Sequence, residues 1–219
     1  MSPVLISIWR EATLRPRTGL PRLVRQDPHL VTLAFPAAYG VLQSFVQGVN
    51  NNVGARSALL TVLGMAIPIG AAWGLLQVHL AALALWVVAR DGADRIPFAR
   101  VRNVVALSSA PSAYALLAWL VAALFVGRAL FIDPNVLPVE SLSGSTWLRL
   151  TILYLGTMAC VLWSAVLLVL GVKEIEGTTV RGAISTVLLS LFVIFAAALV
   201  LAIVAFIGVA ILRSQPGAV

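Results

Sequence analysis

The chain has 219 residues, of which 61% are hydrophobic and only 11% are charged, and its mean hydropathy is +1.02. A soluble domain carries about 25% charged residues, so this composition excludes an ordinary water-soluble enzyme, a disordered chain and a nucleic-acid-binding domain. We attribute the formal charge of +7 to basic residues that flank membrane segments, where anionic headgroups attract them.

Residues 1–30 form a basic unit, which we expect to be a cytoplasmic segment. Its four prolines exclude one long helix. A short helix around residues 4–14 would place Ile8, Trp9 and Ala12 on one face, which predicts an amphipathic helix in the membrane interface with Trp9 at headgroup level. An irregular solvated tail is the alternative. The candidate residues for binding lipid or a protein partner are Trp9, Arg10, Arg15, Arg17, Arg22 and Arg25.

Five runs without charged residues follow, and each is long enough to cross a hydrocarbon core, which takes about 20 helical residues. We therefore predict an all-α, polytopic membrane protein with a five-helix transmembrane bundle over residues 31–213 and a short tail at 214–219. The predicted spans lie at about 31–49, within 57–89, and at about 110–131, 149–172 and 183–212.

The second run, 57–89, is too long for one upright helix, because it would reach ~48 Å against a core of ~30 Å. Pro68 predicts a bent helix that starts in the interface, although a re-entrant part is also conceivable. Two separate spans would each be too short. Gly70 and Gly74 form a GxxxG pair, which predicts close helix packing either within the chain or in a homo-oligomer.

The connections between the later spans carry the polar residues. We expect a polar loop at 90–102, in which the two aspartates give only a weak indication of a metal loop. Ser108 and Ser109 precede a proline and predict the N-cap of the third span. A second loop is expected at 132–148, and a hydrophilic turn at 173–181 joins the last two spans.

The distribution of Arg and Lys predicts the orientation. With the N-terminus inside, the inner segments hold eleven basic residues and the outer segments four, so the positive-inside rule favours N-terminus in and C-terminus out. All basic residues except Lys173 are arginine, and Ala, Leu and Val are abundant, which is typical of GC-rich bacterial genomes. We therefore expect the bacterial cytoplasmic (inner) membrane.

Polar residues inside the spans have two interpretations. By the helix rise, His79 lies ~15 Å and Gln43 ~18 Å from the inner ends of their spans, near the midplane. Gln43, Gln47, Gln77 and His79 are candidates for a polar cluster that lines a solute path. The alternative is an interhelical hydrogen bond between His79 and Gln43, worth about 0.6 kcal/mol.

Residues for enzymatic chemistry are scarce. No Asp, Glu, Lys or Arg lies well inside a span, which argues against ion-coupled transport. The sequence has no nucleotide-binding glycine loop, no HExxH helix and no paired cysteines, since Cys160 is its one cysteine. We expect no enzymatic activity, no metal and no cofactor.

Three segments resemble the Yip family, the Ypt/Rab-interacting membrane proteins, which have bacterial relatives. They are Ile8-Trp9-Arg10 with Arg15-Pro16-Arg17-Thr18, then Ser108-Ser109-Ala110-Pro111, and finally the stretch 171–183, GVKEIEGTTVRGA. The resemblance implies a non-enzymatic integral membrane protein with five helices and its N-terminus inside. In eukaryotic members the cytosolic face contacts small GTPases. This chain differs from them in its short arginine-rich tail.

Two functions are consistent with these observations. The first is a membrane-organising or scaffold protein whose basic face binds anionic lipids or a protein partner. The second is a passive transporter or channel for a small solute or lipid, which would require a polar cavity around Gln43, Gln47 and His79.

Overall fold

The computed structural model describes residues 3–26, 29–89, 96–132 and 144–214, and all regular elements in these ranges are helical. The elements are α1 (Pro3–Leu14), α2 (Pro16–Gln26), α3 (His29–Asn50), α4 (Val53–Arg56), α5 (Leu59–Val88), α6 (Phe98–Ser108), α7 (Ser112–Val126), the 3₁₀ helix η1 (Gly127–Phe131), α8 (Gly144–Glu176) and α9 (Val180–Ser214). The predicted all-α fold is confirmed for these ranges.

Four helical stretches in the described part of the chain are long and apolar enough to cross a membrane. They are Leu59–Val88, Phe98–Phe131, Leu148–Glu176 and Val180–Ile207. This is consistent with a multi-pass membrane protein. The fifth predicted span falls on α3, which is not among the four stretches found in the described residues. The number of five spans therefore stays a prediction.

Helix α3 occupies the interior of the bundle, where α5, α6 and α7 pack against it. Phe35, Leu42 and Phe45 on α3 are almost completely buried. The chain then turns through α4 into α5. A single continuous helix covers the second apolar run, as predicted, with Pro68 inside it.

Helices α3 and α5 cross at three glycines. A Cβ atom on Gly40 would overlap the Gly70 carbonyl oxygen and would lie 2.6 Å from the Gly74 Cα. Both glycines of α5 are buried at this crossing. The backbones of α3 and α5 therefore touch, as small residues at a membrane-helix interface allow. Helix α3 of the same chain occupies the face that the sequence offered to a second copy.

The region before α7 differs from the prediction. The sequence predicted a polar loop at 90–102, but α6 begins at Phe98 and is buried from Val101 onward, except for the half-buried Arg102. The hydroxyls of Ser108 and Ser109 donate to the carbonyls of residues 105 and 106 at 2.7 Å, so they close α6. The prediction that they cap the third span is wrong, because these hydroxyls bond backward along the chain. Residues 90–95, including the aspartates of the weak metal-loop candidate, lie outside the described ranges.

The turn between α8 and α9 is shorter than the predicted stretch 173–181. Gly177 ends α8 with φ +60°, and the Thr178 amide donates to the Lys173 carbonyl at 3.3 Å, as in a Schellman C-cap. Thr179 then caps α9, because its hydroxyl accepts the Gly182 amide at 3.3 Å. The two long helices are thereby joined by a tight antiparallel turn.

The antiparallel packing gives the bundle two distinct ends. The basic end contains the α1–α2 hairpin, α6 and the α8–α9 turn, whose buried apolar residues form one core cluster. The η1 end contains α4, η1 and the first turns of α8 and belongs to a second cluster around Trp119 and Phe131. The basic end brings together the described parts of the segments that the sequence predicts to lie on the inner side.

Candidate functional site

The α1–α2 hairpin is docked onto the bundle. The Trp9 ring stacks on Tyr114 with a centroid distance of 3.8 Å, and its indole N–H donates to the Ala110 carbonyl at 2.9 Å. This carbonyl belongs to the turn between α6 and α7. The contact therefore fixes α1 to the break between α6 and α7.

A second set of contacts joins the hairpin to α8. The Trp163 indole N–H donates to the Thr13 carbonyl at 3.0 Å, while the Thr13 hydroxyl donates to the Trp9 carbonyl at 2.7 Å. Helix α2 packs against α6 and α8, and its Leu20 and Leu23 are buried in the core cluster of the basic end. The first helices are thus part of the bundle core, and the described part of this segment is no irregular solvated tail.

The orientation of α1 differs from the expected one. Ala12 is fully buried, and Ile8 and Trp9 pack against the core of the bundle. The face predicted to enter the membrane interface is therefore turned toward the protein. The outward face of α1 presents Arg10 together with the exposed Leu14, and the indole of Trp9 is committed to Ala110 and Tyr114.

The arginines of the hairpin point outward where the structure describes them. The side chains of Arg10, Arg15 and Arg22 are exposed. Arg22 forms an ion pair with Glu11 at 3.4 Å, and its side chain is 63% exposed, so solvent screens this pair and it contributes little to stability. The side chains of Arg17 and Arg25 lie outside the described part of the structure.

Further basic side chains lie at the same end. Arg100, Lys173 and Arg181 are exposed there, which makes six exposed basic residues with those of the hairpin. Three described acidic residues, Glu11, Glu174 and Glu176, stand beside them. At the η1 end the described exposed basic residues are Arg56, Arg128 and Arg149. We call the six exposed basic residues of the basic end the basic face.

The electrostatics of this face favour an anionic surface. Each basic residue close to anionic headgroups contributes about 1 kcal/mol, and the attraction decays over a Debye length of ~8 Å. The hairpin that carries three of the six cations is held by hydrogen bonds and a buried apolar contact. Docking therefore fixes where these cations lie relative to the bundle.

No hydrogen bond joins the four candidate residues of the intramembrane polar cluster, all of which lie in the described ranges. His79 Nδ1 lies 2.8 Å from the Leu75 carbonyl of its own helix. The Gln43 amide donates to the Tyr39 hydroxyl at 2.7 Å, again within one helix. The interhelical hydrogen bond between His79 and Gln43 is therefore not formed, because each side chain finds a partner one turn away. The buried Oε1 of Gln77 has no hydrogen-bond partner.

Gln47, one turn after Gln43 on α3, lines a cavity of about 270 Å³ between α3 and α5 at the η1 end. Ser44, Asn51, Ser57 and Thr61 contribute further neutral polar groups to its lining. The lining includes neither Gln43, Gln77 nor His79. In the direction of the basic end, the glycine crossing of α3 and α5 brings the two backbones into contact.

Sequence reasoning missed the residues that hold the hairpin in place. Tyr114 and Trp163 contact α1 across 101 and 150 sequence positions, respectively, and no local pattern indicates such pairs. Arg100, Lys173 and Arg181 entered the prediction only as topology signals, although their position at one end of an antiparallel bundle follows from the predicted span order.

Comparisons of the chain with protein families, curated proteins and solved structures find no match. Within the described ranges, no group of three or more His, Cys, Asp or Glu side chains is placed to hold a metal ion.

Proposed function

We propose that this chain is a non-enzymatic, Yip-type integral membrane protein of the bacterial cytoplasmic membrane, which organises the membrane by binding anionic lipids through its basic face. The observation that carries the proposal is the docked α1–α2 hairpin, which presents Arg10, Arg15 and Arg22 beside the other cations of the basic end. A protein partner with an acidic surface would recognise the same charges.

The proposed topology has five spans, with the N-terminus inside and the C-terminus outside. Helix α3 is the additional span, since its 22 residues would extend ~33 Å, about the thickness of the hydrocarbon core. Five spans place the basic face on the cytoplasmic side, where the positive-inside rule and the anionic leaflet both favour it.

The lipid selectivity of the full-length protein tests this proposal. The protein is reconstituted in mixed vesicles that contain spin-labelled phosphatidylglycerol or phosphatidylcholine, and electron paramagnetic resonance measures the fraction of each label held at the protein. We expect preference for phosphatidylglycerol, reduced by high salt and by the triple variant Arg10→Gln, Arg15→Gln, Arg22→Gln. The double variant Arg56→Gln, Arg128→Gln at the η1 end is the matched control. A preference that the triple variant leaves intact would contradict the proposal.

A passive conduit is the second candidate function, and the neutral polar side chains in the lining of the cavity around Gln47 favour it. Its neutral amide and hydroxyl groups would suit an uncharged polar solute. Solute flux in proteoliposomes that falls in Gln47→Leu, with unchanged folding, would support the conduit. Absence of flux above empty vesicles would eliminate it. The contact between Gly40 and Gly74 weighs against it, because the helix backbones touch there.

A further inference from the structure

A groove of about 580 Å³ lies between α7 and α8 at the η1 end. On α7, its walls are formed by Ala118, Val121, Ala122 and Phe125, which follow the i, i+3, i+4, i+7 spacing of one helix face. On α8, they include Ile152 and Arg149. The groove is therefore apolar along its length and carries a guanidinium group near the beginning of α8.

The backbone explains why this space is open. Helix α7 ends at Gly127, whose φ of +68° is a conformation that favours glycine, and the chain continues into η1. Helix η1 packs against α3 and α4, so the chain turns inward after α7. The small side chains of Ala118 and Ala122 leave the groove unfilled beside α8.

The surroundings of the groove indicate which kind of molecule it takes. Val121 and Phe125 are 52% and 82% exposed, so the groove opens on the apolar surface of the bundle. Arg149 is exposed and has no hydrogen bond or ion pair with another residue that the structure describes. An apolar channel with one unpaired cation at its end complements an acyl chain linked to an anionic headgroup.

We propose that this groove binds one anionic phospholipid, with its phosphate on Arg149 and one acyl chain against Ala118, Ala122 and Ile152. The volume lies within the ~300–1,000 Å³ of small-molecule sites. A helix from a second copy fits less well, because it would cover Arg149 and bury a charge without a partner. The site is distant from the basic face and does not depend on the function proposed for that face.

Native mass spectrometry of the delipidated full-length protein in neutral detergent tests the site. Phosphatidylglycerol and phosphatidylcholine with identical acyl chains are titrated separately. We expect one tight equivalent of phosphatidylglycerol, which Arg149→Gln weakens by about tenfold, as the loss of a charge-assisted hydrogen bond predicts. Arg149→Lys should retain part of the affinity, and Arg128→Gln, an exposed cation at the same end outside the groove, should retain all of it.

Two further variants test the apolar part. Ala122→Phe fills the groove and should abolish the tight equivalent, whereas Ala159→Phe, at an exposed position of α8 outside the groove, should not. A photoactivatable acyl chain should crosslink to the 118–126 and 149–153 segments. Circular dichroism and a monodisperse elution profile establish that each variant is folded.

Three results would overturn the proposal. The first is equal affinity of Arg149→Gln and Arg128→Gln for phosphatidylglycerol. The second is equal binding of the two phospholipids without any effect of Ala122→Phe, which would indicate general solvation of the apolar surface. The third is a dimer that Ala122→Phe dissociates, which would assign the groove to a second copy. The triple variant of Arg10, Arg15 and Arg22 should leave phosphatidylglycerol binding in the groove unchanged. Failure of the groove proposal can therefore be distinguished from failure of the function proposed for the basic face.

Discussion

Replacing Gly40 by alanine tests whether the contact between α3 and α5 holds the bundle together. The added Cβ would lie 2.6 Å from the Gly74 Cα and would overlap the Gly70 carbonyl oxygen. Carbon atoms pack at about 3.5 Å or more, so the two helices must separate locally by about 1 Å. Overpacking of this kind costs about 1–3 kcal/mol, whereas the higher helix propensity of alanine returns up to about 1 kcal/mol. We expect a net loss of about 1–2 kcal/mol for Gly40→Ala.

The assay is equilibrium unfolding of the full-length protein in detergent, followed by tryptophan fluorescence. Gly64→Ala and Gly156→Ala are matched controls, since an added Cβ meets no atom within 4 Å at either position, and both should be neutral or stabilising. Gly74→Ala should resemble Gly40→Ala. The double variant should cost less than the sum of the two, because one separation relieves both overlaps. If Gly40→Ala is as stable as Gly64→Ala, the backbone contact is refuted.

Three other predictions concern the docked hairpin, the half-buried His79 and the topology. Trp9→Phe keeps the ring contact but removes the hydrogen bond to Ala110, so it should lower the free energy of unfolding by about 1 kcal/mol, and faster proteolysis of α1 should accompany the loss. His79→Leu should change thermal stability by less than about 1 kcal/mol, because His79 bonds only to the Leu75 carbonyl of its own helix, and a larger loss would indicate an interhelical partner. Alkaline phosphatase fused after Leu212 should be active and the same fusion in the α5–α6 loop inactive, whereas the reverse pattern would invert the proposed orientation.

The sequence predicts the long apolar helices well, since absence of charge over more than 20 residues is a local property. Helices α5, α8 and α9 therefore begin and end within one to five residues of the predicted boundaries. Helix α6 was missed because Arg100, Arg102 and Asn103 resemble a loop when only neighbouring residues are considered. Asn103 is 1% exposed in the structure, because α3, α5 and α8 surround this helix.

Of the candidate site, only the charged residues could be predicted from the sequence. Counting arginines identifies which segments belong to one end of the bundle, but the docking of Trp9 depends on Tyr114 and Trp163, which come near it only after the spans have packed. The predicted apolar face of α1, with Ile8, Trp9 and Ala12, packs on the core of the bundle. Periodicity alone, however, cannot distinguish an apolar face that contacts lipid from one that contacts protein.

For helix α3, too, the sequence alone does not distinguish contact with lipid from contact with protein. This helix carries two glutamines, but the surroundings of a membrane helix determine which polar groups it can hold. Helices α5, α6 and α7 cover much of α3. Among the described side chains of α3, the exposed polar residues Gln47 and Asn50 lie in its last turn, and Leu33 is exposed nearer its beginning. Lipid would therefore meet little polar surface along the middle of α3. This distribution supports the proposed fifth span, because neighbouring helices cover the polar groups of an interior helix and keep them away from lipid.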